Sequence, residues 1–177
     1  MKLIIVFFFL VSAKTLSAAR QQQWRGTVLS EVIKGRTAAV VWPLFEDFCN
    51  QYEILPVDVS FCVVPIRDPL TRYLATQVRS APGASSIDST VTWEKHELLE
   101  LNSNKRFLRY KMIENNQGIT TYLPTISVLE HKDGSQIKWD FIIDPVKGLT
   151  IDDVRNNLKG ILAGALVKIE VKLSSST

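Results

Sequence analysis

The strongest constraint on the fold comes from residues 150–173. Apolar residues recur there at the spacing of three and four that defines one face of an α-helix. These residues are Ile151, Val154, Leu158, Ile161, Leu162, Ala165, Ile169 and Leu173. Thr150 at the N-cap and Asp153 three residues later form a capping box, which satisfies two backbone donors at the helix start. The pattern predicts a long amphipathic C-terminal helix whose apolar face packs against another layer.

That other layer is predicted by seven short strand-like runs. They cover residues 24–33, 61–66, 71–80, 90–101, 106–113, 120–129 and 136–143. Turn-forming residues connect several of them, for example at 115–118 and at Asp133–Gly134. The order predicts an α+β architecture, in which a curved seven-stranded antiparallel sheet closes partly around the C-terminal helix and leaves a ligand cavity.

A helical segment is predicted between the first two strands. Thr37 is a suitable N-cap for residues 38–50, whose apolar side chains form a stripe. Pro43 lacks an amide proton, so it must kink this segment or begin a new first turn. We therefore expect two short helices after the first strand.

Residues 1–19 are predicted to be a secretory signal peptide. Lys2 precedes eleven residues of which ten are apolar, a run too short to span a bilayer, and small residues at 17–19 suit cleavage. An uncleaved anchor is the alternative, favoured by Lys14 directly after the apolar run. Cleavage would leave residues 20–177 as one domain in the secretory pathway, whether outside the cell, in the ER lumen or in the vacuole.

Charge and cysteine content restrict the function classes. The formal charge of +3 falls to +1 without residues 1–19, which gives no electrostatic footprint for nucleic acid. Cys49 and Cys62 form a disulfide in an oxidising compartment or remain free buried thiols, and the sequence leaves both open. Metal-site spacings, nucleophile elbows, phosphate loops and dinucleotide fingerprints are absent from the sequence, which argues against hydrolase, kinase and redox functions.

Several motifs resemble the plant lachrymatory-factor-synthase-like proteins. They are WRG at 24–26, VWPLFEDFCN at 41–50, RY at 72–73, WDF at 139–141 and DPVKG at 144–148. That group belongs to the polyketide cyclase/dehydrase and lipid-transport superfamily, which shares the helix-grip fold with START domains and the birch-pollen allergen. The resemblance runs from about Trp24 to Leu173. It implies a small hydrophobic or amphipathic metabolite between sheet and helix, with no metal or organic cofactor.

The resemblance also implies candidate catalytic residues. In that family an arginine, a glutamate and two tyrosines line the cavity and move protons on a sulfenic acid. The arginine matches Arg72 and the tyrosines match Tyr110 and Tyr122, whereas His96 stands at the glutamate position. Because an imidazole titrates near neutral pH, His96 would exchange the proton, Arg72 would face a developing oxyanion and the hydroxyls would orient it. The departure at His96 predicts a changed substrate.

Strand alternation and helix composition indicate the wall of the cavity. Thr92, Glu94, His96 and Leu98 share one strand face, so Glu94 is predicted to tune His96. The predicted wall residues are Glu94, Trp139, Phe141, Gly160 and Gly164. The two aromatic residues suit the core equally well, and the two helical glycines are also explained by plain close packing.

Each catalytic candidate also has a purely structural interpretation. Arg72 would then be a surface cation paired with Asp68 or Asp88, and the tyrosines would be packing residues whose hydroxyls reach water. His96 would be a core histidine with a satisfied hydrogen bond. The catalytic hypothesis fails if the opposite face of its strand points inward.

Two functions remain open. The first is a cofactor-free enzyme of plant specialised metabolism that isomerises, cyclises or eliminates from a small reactive metabolite by proton transfer. The second is a non-catalytic carrier of a small hydrophobic metabolite, which needs the cavity but no reactive histidine. In both, the expected partner is a small molecule, with no nucleic acid and no stable membrane span once the signal is removed.

Overall fold

The computed structural model describes residues 22–56, 58–63, 73–78 and 92–175. The predicted signal peptide at 1–19 and the candidate Arg72 lie outside the described residues.

One antiparallel sheet forms the frame of the molecule. Its strands are β1 (Trp24–Leu29), β2 (Ile33–Lys34), β3 (Asp58–Val63), β4 (Tyr73–Val78), β5 (Thr92–Asn102), β6 (Phe107–Asn115), β7 (Tyr122–His131) and β8 (Gly134–Ile143). The hydrogen-bonded order is β1-β8-β7-β6-β5-β4-β3, and β2 pairs with β8. Strands β3 to β8 are therefore sequential neighbours, and β1 pairs with the last of them.

The described residues form eight strands, so the expected number of seven was wrong. The run predicted at 24–33 is divided, because β1 ends at Leu29. The amide of Ile137 donates to the Ser30 hydroxyl at 3.0 Å, while the Ser30 amide donates to the Ile137 carbonyl at 2.9 Å. Ser30 thus inserts its side chain into the ladder, and regular pairing resumes only at β2.

Two short helices follow the first strands, at Ala38–Val41 (α1) and Pro43–Glu46 (α2). Pro43 is the first residue of α2, where a missing amide proton leaves no helical hydrogen bond unmade. A 3₁₀ helix, Phe48–Glu53, continues beyond the predicted end of this segment. A disulfide joins Cys49 in this 3₁₀ helix to Cys62 in β3, with the Cα atoms 5.5 Å apart. This bond fixes the 3₁₀ helix to the sheet.

The predicted C-terminal helix is present as α3 (Ile151–Ser174). Its capping box forms as expected, because the Asp153 amide donates to the Thr150 hydroxyl at 3.2 Å and the Thr150 amide donates to the Asp153 carboxylate at 2.7 Å. The buried helix residues are Leu158, Leu162, Ala165 and Ile169. They pack in one apolar core with inward residues of the sheet and of α1 and α2. None of the helices in the described ranges has the length and apolar character needed to cross a membrane.

Gly26 and Gly160 offer a matched pair of substitutions. A Cβ at Gly26 would lie 2.5 Å from Cζ of Phe141, which is 2% exposed and closely packed. We expect Gly26→Ala to lower the free energy of unfolding by about 1–3 kcal/mol through overpacking. A Cβ at Gly160 meets no atom within 4 Å, so Gly160→Ala should raise that free energy by about 0.5–1 kcal/mol through helix propensity. Urea denaturation followed by circular dichroism measures both, and equal shifts would contradict the close packing at Gly26.

Candidate active site

A cavity of about 420 Å³ lies between the concave face of the sheet, the 3₁₀ helix segment and the N-terminal half of α3. Its polar lining among the described residues consists of Gln51, Thr92, Glu94, His96, Tyr110, Gln117, Tyr122, Trp139, Asp153 and Asn157. The remaining lining is apolar and includes Leu55, Met112, Ile119, Ile143, Val146, Leu149, Val154, Leu158 and Ile161.

The cavity lies under the first half of α3, whereas two lysines of the second half bind the 3₁₀ helix segment. Lys168 donates from Nζ to the Leu55 carbonyl at 2.8 Å, and Lys172 forms an ion pair with Glu53. These contacts attach the C-terminal half of the helix to the 3₁₀ helix segment. Toward the N-terminus, residues from Asp153 to Ile161 line open space instead.

The alternation of β5 determines which of its side chains enter the cavity. Thr92, Glu94 and His96 line it, as the strand-parity argument predicts. The intervening residues point outward, where Lys95 pairs with Glu114 at 3.3 Å and Glu97 pairs with Lys111 at 2.7 Å. Trp93 is exposed. The arrangement that would have excluded the catalytic hypothesis is therefore not found.

Glu94 and His96 form a hydrogen-bonded pair in the cavity wall, which is an ion pair when the imidazole is protonated. The distance from His96 Nε2 to Glu94 Oε2 is 3.0 Å, and His96 is 5% exposed. Burial alone would raise the pKa of the Glu94 carboxyl, but the hydrogen bond and charge of His96, with a hydrogen bond from Gln117, lower it overall. Glu94 is therefore an ionised partner for His96.

Gln117 holds the other oxygen of this carboxylate. Its Nε2 donates to Glu94 Oε1 at 2.7 Å, and both residues line the cavity. Asn115 shapes the turn that carries Gln117, because its Oδ1 accepts from the amides of Gln117 at 2.9 Å and Ile119 at 3.0 Å. The sequence predicts a turn at 115–118 but not its contact with β5, so Gln117 was not among the predicted site residues.

Two tyrosine hydroxyls complete the polar cluster. Burial, together with the negative charge of Glu94, raises the pKa of both Tyr110 and Tyr122. Interaction with the Trp139 indole acts in the opposite direction on the pKa of Tyr122 but is outweighed. The Tyr110 ring meets the His96 ring edge to face, with centroids 5.1 Å apart. Both hydroxyls therefore keep their protons and serve as hydrogen-bond donors.

Two buried nitrogen atoms of this cluster make no complete hydrogen bond to the described residues. They are Nδ1 of His96 and Nε1 of Trp139, of which Nε1 lies near the Tyr122 hydroxyl. When Nε2 of a neutral His96 carries the proton that Glu94 accepts, Nδ1 keeps the lone pair. The site thus holds an imidazole beside a carboxylate and an indole donor, groups that can take part in proton transfer on a bound molecule.

The remaining predicted site residues are not all brought together. Glu94 and Trp139 line the cavity, but Phe141, Gly160 and Gly164 do not. Phe141 fills the core against Gly26, and Gly160 faces open space on the outside of α3. The absent Cβ of Gly164 would lie 3.2 Å from Cγ of Pro56, so this glycine allows close packing and leaves no room for a ligand.

The antiparallel sheet packed against a long C-terminal helix defines the class as a helix-grip fold. A family model described as polyketide cyclase/dehydrase and lipid transport matches residues 26–173. The chain belongs to this family, which confirms the wider resemblance. The narrower likeness to the lachrymatory-factor-synthase group stays a prediction, and a comparison with curated proteins gives no match.

Solved structures with the same fold come from Streptomyces, Panax ginseng and Mycobacterium. The Zhui aromatase/cyclase of Streptomyces sp. R1128 is 14% identical with a TM-score of 0.55, covering 86% of this chain and 95% of its own. The major latex-like protein 151 of Panax ginseng is 12% identical with a TM-score of 0.58, covering 85% and 97%. A START superfamily protein of Mycobacterium smegmatis is 12% identical with a TM-score of 0.54, covering 88% and 99%. At these identities the likeness shows the fold alone.

The lowered pKa of Glu94 predicts how stability depends on pH. A carboxyl with a depressed pKa in the folded state stabilises the protein above its ordinary pKa, and this contribution is lost as the pH falls through the folded-state pKa. We therefore expect Glu94→Gln to be less stable than the wild type at pH 7, with the difference shrinking steadily toward pH 3. Urea denaturation at several pH values measures it, with Glu97→Gln on the outer strand face as the charge-matched control. A difference that stays constant with pH would contradict the ionised pair.

Proposed function

We propose that the protein is a cofactor-independent enzyme that isomerises, cyclises or eliminates from a small metabolite of plant specialised metabolism by proton transfer. The observation that carries the proposal is the Glu94–His96 pair in the wall of a largely apolar cavity. Placing charged groups in an apolar environment is costly, and a protein that only held a hydrophobic molecule would not need them there.

The residues take distinct roles in this proposal. Glu94 orients His96 through Nε2, so that Nδ1 accepts or returns the substrate proton. Tyr110 and Tyr122 donate hydrogen bonds to the oxygen on which negative charge develops. Arg72 lies outside the described residues and takes no role in this proposal.

Turnover tests the proposal directly. Purified residues 20–177 are incubated with a metabolite extract of the source tissue and the mixture is followed by mass spectrometry, with a boiled sample as control. We expect the native protein to consume specific metabolites and His96→Ala to slow this at least about 100-fold, the usual contribution of a general base. His131→Ala is the matched control, because His131 lies at the β7–β8 turn outside the cavity, and it should retain full activity. Equal rates for wild type and His96→Ala would refute the assigned role.

A carrier is the second candidate function. It is favoured by the apolar majority of the lining and by the burial of His96 Nδ1. A carrier would retain metabolites from the same extract without changing their mass, and His96→Ala would leave their affinity nearly unchanged.

We also propose that the protein matures in the secretory pathway. The proposal is supported by the signal-like residues 1–19 and by the disulfide between Cys49 and Cys62, a bond that persists in oxidising compartments. N-terminal peptide mapping of the protein isolated from its source should find Arg20 as the first residue. A mature chain that still contains residues 1–19 would contradict cleavage and favour the uncleaved anchor.

A further inference from the structure

Charge is distributed unevenly in the cavity wall. Among the described lining residues, Glu94 and Asp153 carry carboxylates and His96 is already paired with Glu94, whereas neither lysine nor arginine is present. Asp153 is held ionised at the rim, because hydrogen bonds from the Thr150 hydroxyl and amide lower its pKa. A carboxylate or phosphate entering the described part of the cavity would therefore approach two negative charges.

Hydrogen-bond donors face the same space. Tyr110 and Tyr122 line the cavity together with Glu94. The Trp139 indole is a donor only, and its N–H lies near the Tyr122 hydroxyl without completing a hydrogen bond to it. A buried donor that lacks a complete hydrogen bond costs free energy, and a ligand acceptor that binds the Tyr122 hydroxyl would offset this cost by fixing that hydroxyl as an acceptor for the indole.

We propose that the cavity selects uncharged molecules that present a carbonyl or similar acceptor oxygen to Tyr110 and Tyr122, and that Glu94 excludes carboxylates. The hydrocarbon part of such a molecule would lie against the apolar lining, formed at the helix side by Leu149, Val154 and Ile161. This inference rests on the proposed function, because it names the substrate class of the same cavity. It concerns binding alone and does not require turnover.

Three ligands with the same ten-carbon chain test the selectivity. Calorimetric titration of the full chain with 2-decanone, decanoate and decylammonium compares an acceptor oxygen, an anion and a cation. We expect 2-decanone to bind at least about tenfold more tightly than decanoate, as repulsion between charges a few ångströms apart at a partly buried site implies. Tyr122→Phe should weaken 2-decanone about three- to tenfold, the effect of one lost hydrogen bond. The indole proton signal of Trp139, assigned with Trp139→Phe, should shift on binding of the ketone.

Two charge variants test whether the preference for 2-decanone depends on Glu94 itself or only on the net charge of the protein. Glu94→Gln should reduce the preference for 2-decanone over decanoate to about threefold or less. Glu97→Gln removes the same charge from the outer face of β5, where Glu97 pairs with Lys111, and should leave the preference unchanged. Thermal denaturation checks that each variant is folded, and Tyr122→Phe provides an independent test if Glu94→Gln is not.

The outcomes distinguish this inference from the proposed function. Decanoate binding as tightly as 2-decanone, an unchanged preference in Glu94→Gln, or tightest binding by decylammonium would each overturn the selectivity. Failure of all three ligands to bind would overturn the selectivity and the ligand-binding cavity together. Selective binding of the ketone without turnover of any metabolite in the extract would support the selectivity and contradict only the enzyme.

Discussion

The arrangement of the site depends on how α3 packs across the concave sheet. Its second half is fixed by a buried apolar seam, of which Leu162 and Ile169 are members, and by Lys168 and Lys172, which reach the 3₁₀ helix segment. Its first half begins with the capping box at Thr150, and several of its residues border the cavity. The cavity is the volume left where helix and curved sheet diverge. A close-packed interior would not otherwise leave a space of this size.

A charged pair in such a space must be stabilised by its surroundings. Glu94 is stabilised twice, since one oxygen pairs with His96 and the other accepts from Gln117. The Gln117 contact crosses from the β6–β7 turn to β5 and so joins the carboxylate to that turn. Glu94 has little capacity left to act as a base itself, and its role is to orient the imidazole. Proton exchange therefore falls to His96.

The sequence predicted local structure better than the boundary between core and cavity. Helical spacing and the capping box were sufficient for α3, and alternation placed Glu94 and His96 on the inner face of β5. Alternation could not separate Trp139 from Phe141, because both point to the same side of β8 and only the position of α3 decides which one borders open space. Gln117 was missed for a related reason, since turn composition predicts a reversal of the chain but not the strand that the turn reaches.

The chemistry of the site also depends on tertiary structure that the local sequence does not predict. Residue types alone suggested an acid, a base and two hydroxyls, but their protonation states follow from the tertiary environment. Burial keeps Tyr110 and Tyr122 protonated, whereas two hydrogen bonds keep Glu94 ionised despite its burial. The cluster thus separates a fixed negative charge from two neutral donors, with an imidazole between them. A ligand oxygen that becomes more negative during reaction would gain from the hydroxyls on one side, and the proton released elsewhere on the molecule would be taken up by the imidazole.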